Sequence, residues 1–293
     1  MTAAAFLPSA LKGETLPLYL WLPQGEPKGL IQLVHGMAEH MERYDEPARF
    51  LCERGYAVVG HTHAGHGPQA SRLGFFGKAQ GWDHLLCDLH QVRLWAQRRY
   101  PSLPYYLLGH SMGSFLVRCY LTQHPQGIAG AILSGTGYFP RNLTVAGKAL
   151  SQLFILLGLG LRPNGFINQF VGGKKLDWLS RDEAVRQAYQ QDPLCGFAFT
   201  AYGFKDLFTG LNRLSHPEIL KNIPATLPLY LFSGDADPVG HMGQGVQKVA
   251  QQYRDAGLAD VTLTLYPQGR HEMFNELNRR QVYEDLAQWL QAH

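Results

Sequence analysis

The feature that most constrains this fold is a serine placed between a strand and a helix. Residues 105–108 are apolar, Ser111 follows in a Gly-x-Ser-x-Gly motif, and residues 115–121 form an apolar helical stretch. This order is what a nucleophile elbow requires, because a strained turn projects the serine Oγ outward beside the N–H groups of a helix N-terminus. Gly109 and Gly113 are needed where strand and helix approach too closely for a Cβ. The motif alone is weak evidence, but in this context it predicts Ser111 as a nucleophile.

Hydrophobic patterning on both sides of the elbow predicts alternating strands and helices. The stretch 29–34 is almost continuously apolar, as expected of a strand buried on both faces. The predicted strands are residues 16–22, 29–34, 57–60, 105–108, 128–134, 229–233 and 261–266, and the predicted helices are 43–54, 83–100, 115–121, 242–256 and 273–291. This alternation indicates an α/β protein with a mostly parallel, doubly wound sheet.

The alternation breaks between residues 138 and 215. An apolar stretch at 150–161 is followed by a polar helix at 181–191 and an aromatic-rich stretch at 197–208. We interpret this region as a helical cap inserted into the sheet. The predicted domains are therefore an α/β core of residues 1–137 and 216–293 and a cap of residues 138–215.

Composition excludes several classes of function. A net charge of +3, with the basic residues scattered, does not indicate a nucleic-acid partner. The four cysteines contain no C-x-x-C pair, which favours a reducing compartment. The N-terminus is not a convincing signal peptide, and there is no uncharged apolar run of ~18 residues. We therefore expect a cytoplasmic protein without a transmembrane helix, and the sequence does not predict its oligomeric state.

A serine nucleophile needs a base within hydrogen-bonding reach and an acid that orients the base. On a parallel sheet these groups lie at the carboxyl ends of strands, beside the elbow. Strand 229–233 leads into Asp235 and Asp237, and strand 261–266 leads into His271. We predict His271 as the base and favour Asp237 over Asp235 as the acid, although either carboxylate would also suit a helix cap.

An oxyanion hole needs two backbone donors. One is expected at the Met112 N–H, directly after the nucleophile. The other should come from the loop that follows strand 29–34, where Met37 is favoured and Gly36 is the alternative. This chemistry requires neither a metal nor a cofactor.

Four motifs together resemble the monoacylglycerol lipase/lysophospholipase branch of the α/β-hydrolases. They are His35-Gly36-Met37-Ala38-Glu39-His40 with Arg43-Tyr44, Gly109-His110-Ser111-Met112-Gly113-Ser114, Ser233-Gly234-Asp235-Ala236-Asp237 and Gly269-Arg270-His271-Glu272. The resemblance implies the α/β-hydrolase fold and hydrolysis of small-molecule, single-chain lipid esters beneath a helical cap. It also implies a triad of Ser111, Asp237 and His271, with Met37 and Met112 as oxyanion donors.

One loop departs from that family pattern. Where the family often has Asp-His-Arg-Gly-His-Gly, this chain has Thr62-His63-Ala64-Gly65-His66-Gly67, so we expect a supporting ion pair to be lost. The spacing His61-x-His63-x-x-His66 is that of binuclear zinc hydrolases of the metallo-β-lactamase type. Gly65 stands where such a site needs an Asp, so metal binding here is the less favoured interpretation.

The cap bears on the class of substrate. Phe154 and Leu156 in its apolar stretch and Phe199 in its aromatic stretch are the candidate substrate-binding residues. The apolar stretch has two open interpretations. It is either a buried cap helix, or an acyl-chain tunnel wall or lid that touches a membrane surface transiently. Only Lys174-Lys175 suggests a grip on phosphate, so a neutral head group is favoured over a lysophospholipid.

Two alternatives from other classes remain open. A proline-type aminopeptidase on the same fold would need a cap carboxylate for the substrate's amino group, and Asp177, Asp182 and Glu183 are the candidates. A non-catalytic binding protein on this fold would lack a triad member, and the sequence retains all three.

Overall fold

The computed structural model describes residues 3–171 and 176–293. In this part of the chain eight strands form one sheet in the order β1-β2-β4-β3-β5-β6-β7-β8. The strands are β1 (Ala5–Pro8), β2 (Thr15–Trp21), β3 (Gly29–Val34), β4 (Tyr56–His61), β5 (Tyr105–His110), β6 (Gly130–Ser134), β7 (Leu229–Gly234) and β8 (Val261–Tyr266). β2 pairs antiparallel with β1 and β4, and all the remaining pairs are parallel. The predicted mostly parallel sheet is confirmed.

Helices cover both faces of this sheet. They are α1 (Asp45–Glu53), α2 (Gly81–Arg99), α3 (Met112–Leu121), α4 (Arg141–Phe154), α5 (Gly165–Val171), α6 (Glu183–Gln191), α7 (Ala201–Leu214), α8 (Gln244–Asp255) and α9 (Arg279–Ala292). Strand β3 shows the two-sided burial, because Leu30 and Val34 join the core beneath α2, α3 and α8 whereas Ile31 and Leu33 join the core beneath α1 and α9. Two apolar cores therefore hold the sheet rigid between them.

The main differences from the predicted elements lie at edges and helix starts. Strand β1 was not predicted, because its burial alternates and it pairs only with β2 at the edge of the sheet. The helices predicted from residues 43 and 273 each begin as a 3₁₀ turn, at Met41–Tyr44 and Met273–Asn275. After the second turn Glu276 adopts an extended backbone, which separates the turn from α9.

Residues 138–215, which we call the cap segment, lie between β6 and β7. Helices α4, α5, α6 and α7 belong to it, and α7 packs against α4, α3 and α2. Gly147 of α4 lies so close to Phe208 of α7 that a Cβ would come 2.5 Å from the ring. The helices therefore pack on the core through α7, while the division of the chain into two domains stays a prediction.

In helix α4 the buried residues are polar and several apolar residues face outward. Its buried residues are Thr144 and Ser151, whereas Leu143, Val145 and Leu153 are exposed. With the π-helical turn Ile155–Leu159 it forms a 19-residue helix of mean hydropathy 1.4, which is long and apolar enough to cross a membrane by length and composition. A search for uncharged apolar runs in the sequence does not find this helix, because Arg141 and Lys148 lie within it. One such helix is weak evidence for a membrane span, but its exposure shows that the buried-helix interpretation of residues 150–161 is wrong.

Candidate active site

The elbow at Ser111 has the strained geometry that its sequence predicts. Ser111 follows β5 with φ 51° and ψ −120°, a backbone conformation that few non-glycine residues adopt. A Cβ on Gly113 would collide with the Val34 carbonyl, and one on Gly109 would collide with the Gly113 carbonyl. These contacts confirm that both glycines are required. The Ser111 N–H donates to the Ser134 carbonyl at 2.9 Å, which ties the turn to the end of β6.

The structure brings Asp237 and His271 together in a buried pair. His271 Nδ1 donates to Asp237 Oδ2 at 2.9 Å, and Ser233 Oγ donates to the same oxygen at 3.0 Å. The Val239 N–H donates to Asp237 Oδ1 at 2.9 Å. Asp237 has no exposed surface, and His271 is 2% exposed. Three donors therefore fix the carboxylate in a single orientation towards the imidazole.

The neighbouring carboxylate Asp235 faces a different group. It is exposed, and its Oδ1 accepts from the Gln268 N–H at 2.7 Å. This contact spans the two turns that follow β7 and β8. Of the two carboxylates considered as the acid, the structure places Asp237 against the base.

Ser111 and His271 both contact the turn that follows β6. A Cβ on Gly135 would lie 3.0 Å from His271 Cε1, and Gly135 directly follows the Ser134 carbonyl that holds the Ser111 N–H. In the described residues no hydrogen bond joins Ser111 Oγ to His271. Such bonds are often long without substrate and tighten when substrate binds.

The pKa values of His271 and the adjacent His110 are shifted in opposite directions. Burial lowers the pKa of His271, but the charge and hydrogen bond of Asp237 outweigh it, so the pKa is raised above 6.5. The His110 ring lies 4.8 Å from the His271 ring. Burial and repulsion by His271 lower the pKa of His110 to about 4. His110 is therefore neutral where His271 titrates.

The backbone of residues 35–40, which we call the 35–40 loop, lies against Ser111. A Cβ on Gly36 would be 3.2 Å from Ser111 Cβ. The Gly36 N–H is already engaged, since it donates to Glu39 Oε1 at 2.5 Å. In the described part of the chain, the N–H groups of Met37 and Met112 have no acceptor. This favours Met37 over Gly36 as the second oxyanion donor, and both assignments stay predictions.

A buried ion network supports this loop, and the sequence analysis gave its members no role. Arg43 donates to Glu39 Oε2 at 2.6 Å and to both oxygens of Glu272 at 2.6 Å. Tyr44 Oη donates to Glu39 Oε1 at 2.7 Å. Because Glu272 follows His271, the network links the 35–40 loop to the turn that carries the base. The signal that could have revealed it is the set of charged residues inside the family motifs.

Four histidines in or next to this loop, His35, His61, His63 and His66, are buried and hydrogen-bond to one another or to nearby backbone groups. His63 Nδ1 lies 3.1 Å from His61 Nε2, and the His63 N–H donates to His35 Nε2 at 3.0 Å. His66 Nε2 accepts from the Ala38 N–H at 3.2 Å. Burial lowers the pKa of His63 to about 4 and that of His66 to about 3. His66 therefore holds the 35–40 loop, and within the described residues His61, His63 and His66 do not form a group of three ligand atoms close enough to share one metal ion.

The cap segment contacts the turn that carries the base. The Trp178 carbonyl accepts from the His271 N–H at 3.1 Å, and the Leu179 carbonyl accepts from the Glu272 N–H at 2.8 Å. The indole ring of Trp178 lies 5.1 Å from the His271 ring. The Lys174-Lys175 pair considered for phosphate lies outside the described residues.

The three candidate substrate-binding residues do not meet in one place. Leu156 is 76% exposed on the π-helical turn, whereas Phe199 is 0% exposed. Phe199 packs edge-on against Phe76 at 5.0 Å, and Phe154 is half-buried, 6.1 Å from Phe166. Contact of these residues with a substrate stays a prediction, and Phe199 would need to leave its aromatic cluster to make one.

Comparison with known proteins identifies the family and supports the fold. The family model described as serine aminopeptidase, S33, matches residues 25–278. The chain is 29% identical to the monoacylglycerol lipase of Mycolicibacterium smegmatis over 94% of this chain and 92% of that protein. It is also 29% identical to the Homo sapiens monoglyceride lipase, over 95% of this chain and 87% of that protein.

A solved structure gives the same result for the fold. The crystal structure of a highly thermostable carboxyl esterase from Bacillus coagulans in complex with glycerol matches with a TM-score of 0.90 at 27% identity. The match covers 100% of this chain and 99% of that one. The chain is therefore a serine hydrolase with the α/β-hydrolase fold, and it belongs to the serine aminopeptidase family whose model it matches.

Proposed function

We propose that this enzyme hydrolyses carboxylic esters of single-chain lipids, with monoacylglycerols favoured over lysophospholipids. The observation that carries the proposal is the buried Asp237–His271 pair, bonded at 2.9 Å, beside a serine held on a strained turn. Two relatives that align over most of the chain are a monoacylglycerol lipase and a monoglyceride lipase, which supports this class of ester.

In this proposal His271 Nε2 takes the proton from Ser111 Oγ as that oxygen attacks the ester carbonyl. Asp237 holds the imidazole through Nδ1 and stabilises its positive charge. The N–H groups of Met37 and Met112 donate to the carbonyl oxygen as it becomes an oxyanion. His271 then protonates the leaving alcohol. A water molecule next attacks the acyl-enzyme while His271 takes its proton, and His271 returns that proton to Ser111 Oγ as the carboxylic acid leaves.

The exposed surface of the cap segment supports a lipid substrate. Its exposed large apolar side chains are Leu143, Val145, Leu153, Leu156, Leu157, Phe166 and Phe170. Clusters of this kind on a soluble fold commonly mark lipid or partner contact. We infer that the cap segment touches a lipid surface transiently while Ser111 takes its ester from there. Residues 138–215 would then act as a cap on the core of residues 1–137 and 216–293, in a cytoplasmic enzyme.

The aminopeptidase alternative receives no support from the three candidate carboxylates. Asp182 Oδ1 accepts from the Ala184 N–H as the N-cap of α6, and its Oδ2 accepts from Arg279 at 3.3 Å. Glu183 accepts from Gln187 at 3.1 Å on the exposed face of the same helix. Asp177 is exposed. Two of the three carboxylates are thus engaged in local structure.

Two measurements test the proposal. A fluorophosphonate probe should label the native chain and should not label Ser111→Ala. A panel of monoacylglycerol, lysophosphatidylcholine, p-nitrophenyl esters and Pro-naphthylamide should then show the highest kcat/KM on monoacylglycerol. Faster turnover of Pro-naphthylamide than of every ester would overturn the ester assignment, and an unlabelled native chain would indicate a non-catalytic protein.

A further inference from the structure

Three potential metal ligands from two distant parts of the chain meet beside the 35–40 loop. His40 ends that loop, while Asp192 and Cys195 follow α6 in the cap segment. One ligand atom from each residue lies within 4.8 Å of the other two. His40 Nε2 is 2.7 Å from Asp192 Oδ2. None of the three has a part in the proposed triad or oxyanion hole.

The local backbone presents the carboxylate and the thiol together. Asp192 Oδ1 accepts from the Leu194 N–H at 2.8 Å, and the Asp192 carbonyl accepts from the Cys195 N–H at 3.0 Å. This turn leaves Asp192 Oδ2 directed at His40. The side chain of Asp192 is 29% exposed and that of His40 is 10% exposed. The cluster is therefore preformed by the backbone and can be reached from solvent on the Asp192 side.

The donor set selects among cations. An imidazole nitrogen, a thiolate sulfur and a carboxylate oxygen are the ligands of Zn²⁺, whereas Mg²⁺ and Ca²⁺ prefer oxygen alone. Zinc bonds of about 2.0–2.3 Å in a tetrahedron place the ligand atoms about 3.3–3.7 Å apart. The His40–Asp192 separation would need to lengthen by less than about 1 Å to reach this range. A water molecule would complete the tetrahedron.

The surrounding charges also favour a divalent cation. The nearby Arg43 guanidinium is paired with both Glu39 and Glu272. Adding Asp192 gives three carboxylates against one guanidinium, which leaves two uncompensated negative charges before the thiol is considered. A cation of charge +2 matches that excess.

An ion at this place would join two elements that already touch. The Tyr189 Oη and the Gly196 N–H both donate to the Ala38 carbonyl, at 3.1 and 2.9 Å. Ala38 adjoins Met37 and has a φ of 52°, so its backbone is held in an unfavourable conformation. We propose that His40, Asp192 and Cys195 form a Zn²⁺ site that fastens the cap segment to the 35–40 loop. The ion holds structure and takes no part in ester cleavage.

Direct titration with Zn²⁺ tests the site. The metal-free full-length chain is titrated with ZnCl₂ in competition with a chromophoric chelator. We expect one equivalent to bind, and we expect Cys195→Ser and Asp192→Asn each to weaken binding by about tenfold or more. Cys87→Ser, which removes an exposed thiol on α2, is the matched control and should bind as the native chain does. Unchanged affinity in Cys195→Ser, or no binding by the native chain, would overturn the proposal.

Two further measurements use the native chain and do not depend on a variant folding. Co²⁺ in place of Zn²⁺ should show the thiolate-to-cobalt charge-transfer absorption of a cysteine ligand, and its absence would contradict the site. Zn²⁺ should also slow amide hydrogen exchange in residues 37–40 and 189–196. Slowing confined to other segments would place the ion elsewhere. None of these measurements depends on ester hydrolysis, so the site can fail while the proposed function stands.

Discussion

Two opposing effects set the pKa of His271: burial lowers it, and the charge of Asp237 raises it. Asp237 is inaccessible and accepts three hydrogen bonds, so its negative charge stays beside Nδ1. That charge outweighs the effect of burial and raises the pKa of His271. The ring of His110 contacts the Ser134 hydroxyl instead, and burial lowers its pKa to about 4. One imidazole of the two is thus suited to act as a base near neutral pH.

Removing the nucleophile should abolish turnover and leave the fold intact. Ser111→Ala is expected to lower esterase kcat by roughly 10⁴ or more, because the Oγ that forms the acyl-enzyme is lost. Alanine keeps the Cβ of Ser111 at the same strained turn, so the variant should be about as stable as the native chain. Activity above ~10% of native in a clean preparation would place the nucleophile elsewhere.

The two neighbouring carboxylates should differ sharply when each is made an amide. Asp237→Asn is expected to lower kcat by about 10³–10⁴, because an amide favours the wrong tautomer of His271. Asp235→Asn should lower it by less than about tenfold, because Asn keeps an oxygen for the Gln268 N–H. Both variants are assayed on one soluble ester after their thermal stabilities are matched. If Asp235→Asn is the more damaged variant, the acid is misassigned.

The pH dependence of kcat/KM should report the raised pKa of His271. The base must be neutral, so activity is lost as pH falls through a pKa that lies above 6.5 in the folded enzyme. The stability of the folded enzyme changes with pH in the opposite direction. A raised pKa contributes stability that is present below about pH 6.5 and is lost as pH rises through the folded value. A rising limb centred clearly below pH 6.5 would show that another group controls the profile.

At the level of elements, local sequence patterns predict the parallel strands well, but they do not predict which helix faces are exposed. Strands 29–34 and 261–266 were predicted with their observed bounds, because continuous or β-branched apolar runs end at Gly and Pro residues. The elbow and the order of the acid and the base followed from the same strands. The exposure of α4 could not be predicted, since an apolar helix has the same pattern whether it packs inside a protein or faces a lipid.

The exposed cap helix should set acyl-chain preference. Leu156→Glu is expected to lower kcat/KM on a C12 ester about tenfold more than on an acetate ester. The reason is that burial of each CH₂ contributes about 0.8 kcal/mol and only the long chain reaches this surface. Leu22→Glu is the matched control, because Leu22 is 51% exposed on the connection after β2. Equal losses on both esters would mean that the substitution disturbs the packing of the cap segment instead.

At the scale of the whole molecule, an ion pair joins residues that lie near opposite ends of the sequence. Arg43 lies 229 residues from Glu272 in the sequence, and the side chains of both residues are largely shielded from water. No local pattern can predict a pair at such a separation, although both residues stand inside motifs that the sequence analysis singled out. The network connects the loop after β3 to the turn after β8, so it holds two parts of the candidate site at a fixed distance.

Breaking this network should therefore cost far more than breaking a surface pair. Arg43→Met leaves the carboxylates of Glu39 and Glu272 buried without their cation, which typically costs about 3–5 kcal/mol. The control is Arg54→Met, which breaks an exposed pair with Glu284 and should cost less than about 1 kcal/mol. Urea unfolding with unchanged m-values measures both.

A second substitution identifies the cause of the loss. If the cost comes from uncompensated charge, adding Glu272→Gln to Arg43→Met should restore part of the stability, because one of the two stranded carboxylates is removed. If the cost comes from the lost stacking of the Arg43 guanidinium on the Tyr189 ring, whose centroid is 4.8 Å from Cζ, the double variant should be no more stable than the single one. A loss below about 1 kcal/mol in Arg43→Met would contradict both explanations and show that the network does not hold the two ends of the fold together.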